Sequence, residues 1–277
     1  MDIKAIVMDI DGTLIVKDKG ILPRTKEALL KAQAQGIRLI LASGRPTTGM
    51  VEFGEELKMD KNGGLLISYN GAKVIDMQTM EEIYDVTMAI EDSKDVLEHM
   101  KKFDIHPMID KGEYMYVNDA FGVIELEGKA VNIVQYESRN EKYLVCEKAD
   151  LADFVDYPLN KILTAGSPEY LQENYVAMME PFKDRLNCMF TSSFYFEFTA
   201  KGVDKAKALE KILESTNIDA SEVISFGDGH NDISLLQYAG IGIAMENAVE
   251  ELKNIADEVT LSNENDGIAE SLSKLCF

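Results

Sequence analysis

The first apolar run of the chain constrains the fold more than any other feature. Residues 3–8 are apolar apart from Lys4 and rich in β-branched side chains, without the polar alternation of a half-exposed strand. Such a run is typical of a strand buried on both faces, as at the centre of a parallel sheet. It stops at two carboxylates, Asp9 and Asp11, and then at Gly12. The sequence therefore predicts a central parallel strand whose carboxyl end bears two acidic side chains.

The segments that follow alternate between helix and strand. A predicted helix at 23–35 has Pro23 in its first turn and Gly36 after its last residue. A second buried strand is predicted at 37–42, and an amphipathic helix follows it to about residue 58. The alternation of strand and helix predicts an α/β fold, a Rossmann-like doubly wound parallel sheet.

The pattern changes after the pair Asn70-Gly71, which separates two strand-like runs and predicts a hairpin turn. From about residue 84 helices and hairpins follow one another, and the alternation resumes near residue 203. This order indicates an α+β cap domain inserted into the first domain. The predicted domains are a discontinuous catalytic core at 1–83 and 197–277 and an inserted cap at 84–196.

Composition limits the partners that the protein can have. The chain has 277 residues, 46% of them hydrophobic and 28% charged, which indicates a globular protein. Its 28 Lys and Arg against 49 Asp and Glu give a formal net charge of −21, which repels nucleic acid and anionic membranes. We therefore expect neither as a partner. Three cysteines without CxxC spacing, and no apolar segment near the ~20 residues of a membrane span, predict a soluble cytoplasmic protein.

Polar clusters follow three of the predicted strands. Ligands of open parallel sheets bind at the carboxyl ends of the strands, so these clusters are expected to converge on one crevice. Glycines within them, including Gly12 and Gly44, leave backbone amides accessible to a ligand. The clusters lie at Asp9 to Thr13 after the first strand, at Ser43 to Arg45 after the second, and at Gly227 to Asp232 after the strand at 223–226.

These residue types suit phosphoryl transfer. Carboxylates that stay ionised close together need a cation, and oxygen ligands favour Mg²⁺. Asp9 can attack a phosphoryl group and form an acyl phosphate, while Asp11 can protonate the leaving oxygen and later activate water. Ser43, beside Gly44, can donate hydrogen bonds to phosphoryl oxygens, and Lys205 is the candidate for the positive charge that these oxygens need.

Motifs along nearly the whole chain resemble those of a known family. In order they are DIDGTL, ASGR, SYNGA, KGVDKAKAL, GDGHND, IAMENA and ADEVTLSNENDGIA. They resemble the haloacid dehalogenase superfamily of aspartate-nucleophile phosphohydrolases. More narrowly, they are similar to its Cof-type sugar-phosphatase branch, which has a large α/β cap of class IIB.

The resemblance implies a catalytic role and a metal role for the strand-end carboxylates. It implies that Asp9 is the nucleophile and Asp11 the general acid and base. It implies further that Mg²⁺ is held by Asp9, by the Asp11 main-chain carbonyl and by Asp228. In such families the cap chooses the substrate, here a small phosphorylated metabolite.

The resemblance also implies a set of phosphate contacts. Ser43 and Lys205 would bind the phosphoryl group, and Asn231 and Asp232 would complete the site. Asp232 is assigned to holding Lys205 in place. Arg45 is expected to pair with a nearby carboxylate or with the cap, and is retained only as a weak substrate contact. Asn70 has two open explanations, the geometry of its turn and a contact at the edge of the site.

Three functions from different classes remain open, with the first favoured. They are a Mg²⁺-dependent phosphatase acting on sugar phosphates or similar metabolites, a phosphomutase with the same motifs, and a non-enzymatic phosphate-binding protein. A calcium loop is excluded because Thr13 and Leu14 stand where it needs an acidic or amide residue and a glycine. The chain contains neither a GxxxxGK[ST] nor a GxSxG motif. The sequence makes no prediction of oligomeric state.

Overall fold

The structure, a computed structural model, describes residues 2–277, which divide into two compact units. The first unit extends to Asp85 and resumes at Asp204, and the second, Val86–Val203, is inserted between these parts. Both boundaries lie later than the predicted positions, 83/84 and 196/197. The strand before each boundary, Glu82–Asp85 in the first unit and Tyr195–Ala200 in the inserted unit, pairs within the sheet of its own unit, so the boundary lies after it.

The described residues of the N-terminal part of the first unit, 2–85, contain two α-helices and seven strands. They are β1 (Ala5–Met8), β2 (Ile15–Val16), β3 (Gly20–Ile21), α1 (Pro23–Ala34), β4 (Arg38–Ala42), α2 (Val51–Glu56), β5 (Leu65–Ser68), β6 (Lys73–Asp76) and β7 (Glu82–Asp85). The chain leaves α1 at Gly36, whose φ of 89° suits glycine. The predicted helix reaching residue 58 is shorter, since a 3₁₀ turn at Thr47–Gly49 precedes α2.

The inserted unit contains four helices and eight strands. They are α3 (Ile90–Met100), β8 (His106–Lys111), β9 (Tyr114–Val117), β10 (Val123–Leu126), β11 (Lys129–Asn132), α4 (Ile133–Glu141), β12 (Leu144–Glu147), α5 (Leu151–Phe154), β13 (Lys161–Ala165), α6 (Pro168–Met179), β14 (Leu186–Ser192) and β15 (Tyr195–Ala200). Six strands form one sheet in the order β12-β9-β8-β13-β15-β14, and β10 pairs with β11. Helix α5 is short and begins after Asp150, whose side chain caps it, while Glu147 ends β12.

The C-terminal part of the first unit completes its sheet. Its elements are α7 (Lys205–Leu213), β16 (Val223–Gly227), α8 (Ile233–Tyr238), β17 (Ile241–Ala244), α9 (Glu250–Ile255), β18 (Glu258–Val259) and α10 (Gly267–Leu275). The strand order is β18-β17-β16-β1-β4-β5-β6-β7, parallel from β18 to β5 and antiparallel beyond. The predicted α/β fold, with a doubly wound parallel sheet and an inserted α+β unit, is confirmed.

The centre of this sheet places the polar clusters side by side. Strand β1 is fully buried and pairs with β16 on one side and β4 on the other. Met8 is level with Phe226 and with Leu41, so the three strands end at the same edge. The side chains that follow them therefore share that edge. Each helix in the described part of the chain falls short of the length and hydropathy that crossing a bilayer requires.

Candidate active site

Asp9 continues directly from the central strand. Its backbone N–H donates to the Phe226 carbonyl at 3.1 Å, which extends the β1 ladder by one residue, and its side chain is buried. The chain then turns sharply at Gly12, where φ is +80°. A Cβ at this position would lie 2.2 Å from Oδ2 of Asp228, so only glycine lets the loop approach that carboxylate.

A buried lysine joins two of the carboxylates. Nζ of Lys205 donates to Oδ1 of Asp9 at 2.6 Å and to Oδ1 of Asp232 at 2.7 Å, and the lysine is only 1% exposed. The three charged groups fix one another in the interior, where a charge without a partner would be costly.

The start of helix α7 holds Lys205 at this point. Asp204 caps the helix by accepting hydrogen bonds from the N–H groups of Ala206 and Lys207. Gly71 packs against that cap, since a Cβ there would lie 2.3 Å from the Asp204 carbonyl oxygen. The glycine of the predicted hairpin thus allows the turn after β5 to approach the lysine-bearing helix.

The loop after β16 brings in a third carboxylate, Asp228. Oδ2 of Asp232 accepts the backbone N–H groups of Asp228 and Gly229, both at 3.0 Å, and so shapes this loop. The hydroxyl of Thr13 donates to Oδ1 of Asp228 at 2.7 Å. The loops after β1 and β16 are therefore tied together at the edge of the sheet.

The three carboxylates fit a divalent metal ion. Ligand atoms of Asp9, Asp228 and Asp232 lie within 4.8 Å of one another. Together they bear more negative charge than the single cation of Lys205 balances. A cluster of carboxylate oxygens with excess negative charge suits a hard cation such as Mg²⁺. Two of the expected ligands, Asp9 and Asp228, are in this group. The side chain of Asp11 is not, so Asp11 can contribute only its main-chain carbonyl, as expected.

The pKa values reflect the same crowding. Burial raises the pKa of Asp9 well above its usual value, Lys205 lowers it, and the neighbouring carboxylates raise it further. Burial likewise raises the pKa of Asp228 to about 6, against the hydrogen bond from Thr13. Burial lowers the pKa of Lys205, but Asp232 and Asp9 outweigh burial and raise it above its ordinary value. The lysine is thus held charged among carboxylates that repel one another.

The predicted phosphate contacts lie around the end of β4. The Ser43 carbonyl accepts the backbone N–H of Asn70 at 2.9 Å, and Nδ2 of Asn231 donates to Oδ1 of Asn70 at 3.0 Å. A Cβ on Gly44 would lie 3.0 Å from Nδ2 of Asn70. The structure therefore brings Ser43, Gly44 and Asn231 together through Asn70.

The turn that contains Asn70 has an unusual backbone. Tyr69, Asn70 and Gly71 all have positive φ, at 52°, 56° and 103°. Non-glycine residues in the left-handed region cost energy and persist where the surroundings hold them in place. Of the two explanations for Asn70, the turn is observed, and its side chain also contacts Asn231 of the predicted site.

Arg45 forms an ion pair with Asp11 that involves both carboxylate oxygens. Its Nε donates to Oδ2 of Asp11 at 2.7 Å, and its Nη2 donates to Oδ1 at 2.8 Å. The side chain of Asp11 is 57% exposed, whereas that of Arg45 is 17% exposed. The ion pair agrees with the expectation that Arg45 pairs with a nearby carboxylate, although the sequence did not say which one.

Sequence reasoning also missed residues that hold the loop after β1. Nδ2 of Asn247 donates to the Gly12 carbonyl at 2.8 Å, and Nδ2 of Asn263 donates to the Ile15 carbonyl at 2.7 Å. Thr13, bonded to Asp228, belongs with them. The available signal for Asn247 was its place in the IAMENA motif, just after a strand of the same parallel sheet.

Comparison with known proteins identifies the family. A family model described as haloacid dehalogenase-like hydrolase matches residues 6–272. The chain is similar to a haloacid dehalogenase-like hydrolase from Bacteroides thetaiotaomicron, whose crystal structure superposes with a TM-score of 0.89 at 33% identity, covering 99% of each chain. The chain belongs to the haloacid dehalogenase-like hydrolases, as the motifs predicted, and is therefore an enzyme of the hydrolase class.

Two further relatives have activities in their names. Pyridoxal phosphate phosphatase YbhA of Escherichia coli strain K12 is 28% identical over 281 residues, which cover 98% of this chain and 97% of the relative. The solved structure of a sugar phosphatase of haloacid dehalogenase subclass IIB superposes with a TM-score of 0.79 at 26% identity, and the match covers 98% of this chain and 98% of that one. Both are phosphatases that match this chain from end to end.

Proposed function

We propose that this protein is a Mg²⁺-dependent phosphatase that hydrolyses small phosphorylated metabolites, with sugar phosphates as the favoured class, through an aspartyl phosphate on Asp9. The observation on which the proposal rests is the group formed by Asp9, Lys205, Asp228 and Asp232 at the carboxyl edge of the parallel sheet. In a chain of this family, that group supports Asp9 as the nucleophile, Lys205 as the cation beside it, and the carboxylates as ligands that suit a divalent metal ion.

In the first half of the reaction, a carboxylate oxygen of Asp9 forms a bond to phosphorus while the bond from phosphorus to the leaving oxygen breaks. Asp11 donates a proton to that oxygen, so the product leaves as an alcohol. Lys205 holds Asp9 in position and offsets charge on the phosphoryl oxygens, and Ser43 with the amide of Gly44 donates hydrogen bonds to them.

In the second half, Asp11 takes a proton from water, and the water oxygen bonds to phosphorus as the bond to Asp9 breaks. Phosphate leaves, and the Asp9 carboxylate is restored. Asp9, Asp228 and the Asp11 carbonyl would hold Mg²⁺, with Asp232 beside them in the acidic cluster. When bound, the ion supplies charge stabilisation to the phosphoryl oxygens.

The inserted unit is proposed as the cap that selects the substrate. Support comes from the relatives, which are named for different substrates although they match this chain over nearly its whole length. We also propose a cytoplasmic location, in keeping with three cysteines that are all free thiols. The acidic net charge of −21 supports small molecules rather than nucleic acid as partners.

The test is a screen for phosphate release over a panel of phosphorylated metabolites, with and without Mg²⁺. We expect Mg²⁺-dependent release from several sugar phosphates and none from Asp9→Asn. A phosphomutase is separated by incubation with a hexose monophosphate in oxygen-18 water. Labelled free phosphate supports the phosphatase. Interconversion of the 1- and 6-phosphates faster than phosphate release, stimulated by a sugar bisphosphate, would contradict it.

A further inference from the structure

The pair formed by Arg45 and Asp11 has a consequence beyond substrate binding. We propose that Arg45 is a positioning residue: it clamps both oxygens of Asp11 and holds this side chain where it serves the leaving oxygen. The inference rests on the proposed function, because it assumes that Asp11 is the proton donor. It assigns Arg45 to the general acid, in place of the weak substrate contact retained from the sequence.

Arg45 is itself held from several sides. Its backbone N–H donates to Oγ of Ser43 at 3.2 Å, and its carbonyl accepts the N–H of Tyr69 at 2.9 Å. Its guanidinium lies 5.8 Å from the ring centroid of Phe53 in helix α2. Arg45 is thus held at its backbone and at its guanidinium, and its side chain is largely covered, so it is a rigid partner for Asp11.

Asp11 needs a rigid partner to fix its side chain. Its side chain is 57% exposed, beyond the end of β1, and a short exposed side chain can move between rotamers. The planar fork of arginine fixes both carboxylate oxygens at once, at 2.7 and 2.8 Å, and lysine has no such geometry. Small displacements of a reacting group are costly, since about 1 Å can reduce a rate about a hundredfold.

The leaving group reveals whether Arg45 acts through Asp11. An alkoxide must be protonated as it leaves, whereas a nitrophenolate leaves without a proton. The ratio kcat/KM reports only steps up to the first irreversible one, here loss of the leaving group, and excludes the later hydrolysis of the aspartyl phosphate. A misplaced Asp11 therefore lowers kcat/KM for an alkyl phosphate and spares it for 4-nitrophenyl phosphate. For the aryl ester, kcat and KM of such a variant fall by the same factor, so their ratio is unchanged.

The experiment compares Arg45→Gln, Arg45→Lys, Asp11→Asn and the double variant Asp11→Asn/Arg45→Gln on 4-nitrophenyl phosphate and on a hexose 6-phosphate. For Arg45→Gln we expect kcat/KM to fall about a hundredfold on the alkyl ester and about threefold or less on the aryl ester. Arg45→Lys should lose less than Arg45→Gln. In the Asp11→Asn background, Arg45→Gln should change the alkyl rate by about twofold at most, because the group that it positions is gone.

Arg24→Gln is the matched control. Nη2 of Arg24 donates to Glu270 at 2.9 Å in the same unit, and neither residue has a role in the proposed mechanism, so both esters should react as with wild type. Circular dichroism and thermal unfolding identify any variant that fails to fold, and Arg45→Lys then provides the comparison.

The inference is overturned if Arg45→Gln raises KM equally for both esters and does so again in the Asp11→Asn background, since Arg45 would then bind the substrate itself. A wild-type enzyme that releases phosphate from neither ester overturns the proposed function and the inference with it. If the wild-type enzyme is active and Arg45→Gln loses the same factor in kcat/KM on both esters, the inference alone is overturned.

Discussion

Two buried lysines, one in each unit, have similar partners and different surroundings. In the first unit Lys205 binds Asp9 and Asp232 at 2.6 and 2.7 Å. In the inserted unit Lys161 lies 3.2 Å from Glu197. Burial lowers the pKa of each lysine and the neighbouring carboxylates raise it, with a net upward shift in both. As ion pairs, the two clusters are alike.

The elements that bear them differ. Lys205 opens a helix at the carboxyl edge of a parallel sheet, and its partners lie in loops after β1 and β16. Lys161 lies within β13 of an antiparallel sheet, directly opposite Thr199 on β15. Its surroundings include two acidic residues of α4, Glu137 and Glu141, which raise its pKa. The Tyr195 hydroxyl donates to Glu137 at 2.7 Å, which ties β15 to that helix.

The comparison teaches that a buried ion cluster does not by itself indicate catalysis. Perturbed pKa values occur in structural networks as well as in active sites. At the end of parallel strands, side chains from several loops meet where a ligand can enter. In the inserted unit, by contrast, the charges around Lys161 lie between helix α4 and the antiparallel sheet and hold the two together. Four experiments can break or sharpen this contrast, and they follow from the largest expected effect to the smallest.

The largest effect is expected from exchanging the carboxylate that each lysine binds. Asp9→Asn removes the proposed nucleophile and should lower kcat by about 10⁴-fold or more while the fold is retained. Glu197→Gln is the matched variant of the inserted unit and should leave kcat of the folded protein within about threefold, because its role there is structural. Phosphate release and circular dichroism measure both. Wild-type turnover in purified Asp9→Asn would refute the mechanism.

Metal removal should affect only the cluster of the first unit. Excess chelator is expected to lower activity by about a thousandfold, and Mg²⁺ should restore it. Ca²⁺ should substitute poorly because it prefers more ligands at longer distances.

Thermal unfolding gives an independent readout for the metal. Mg²⁺ should raise the midpoint for wild type and for Glu197→Gln, but not for Asp228→Asn, which lacks one carboxylate of the cluster. Full activity in excess chelator, or equal stabilisation of Asp228→Asn, would contradict a metal at this site.

Replacing the lysines themselves should separate catalysis from stability. Lys205→Met is expected to lower kcat about a hundredfold, since it removes the cation beside the nucleophile. Lys161→Met leaves Glu197 buried without its cation and should cost about 3 kcal/mol of unfolding free energy, with kcat of the folded protein nearly unchanged. Urea unfolding and steady-state kinetics measure the two quantities. A tenfold rise in KM for Lys161→Met at unchanged stability would assign Lys161 to substrate binding.

The smallest effect concerns two buried threonines. Thr13→Val removes the hydrogen bond to Asp228 and should raise the Mg²⁺ concentration for half-maximal activity by about tenfold, as expected for a hydrogen bond to a charged group. Thr164 in the inserted unit donates to the Phe196 carbonyl at 2.6 Å and provides the control. Thr164→Val should lower stability and leave the Mg²⁺ requirement unchanged. Equal Mg²⁺ requirements for Thr13→Val and wild type would remove Thr13 from the metal site.

Much of the fold followed from local sequence patterns. The helix predicted at 23–35 corresponds to α1, and the predicted hairpin at Asn70 joins the antiparallel strands β5 and β6. No particular element was predicted at 118–146, where the structure has the hairpin of β10 and β11 and helix α4. These strands are short and partly exposed, so packing against neighbours decides them more than local preference does.

The partners within the site were harder to predict. The hydrogen bond from Thr13 to Asp228 joins residues 215 positions apart, and that from Asn247 to Gly12 joins residues 235 apart. No local pattern encodes such pairs. A carboxylate partner was expected for Arg45, but its identity as Asp11, 34 positions away, was not predicted for the same reason.

By itself, the sequence determined which residues follow the strand ends, because apolar periodicity and glycine spacing are local properties of the chain. The family followed from the resemblance of its motifs. Only the tertiary structure decided how those residues are paired. It placed Asp232 between Lys205 and the loop of Asp228, joined Asp11 to Arg45 rather than to the acidic cluster, and gave Lys161 a structural partner. The physical reason is that the direction and burial of a charged side chain depend on which strands lie beside it, and strand order is settled only when the whole sheet assembles.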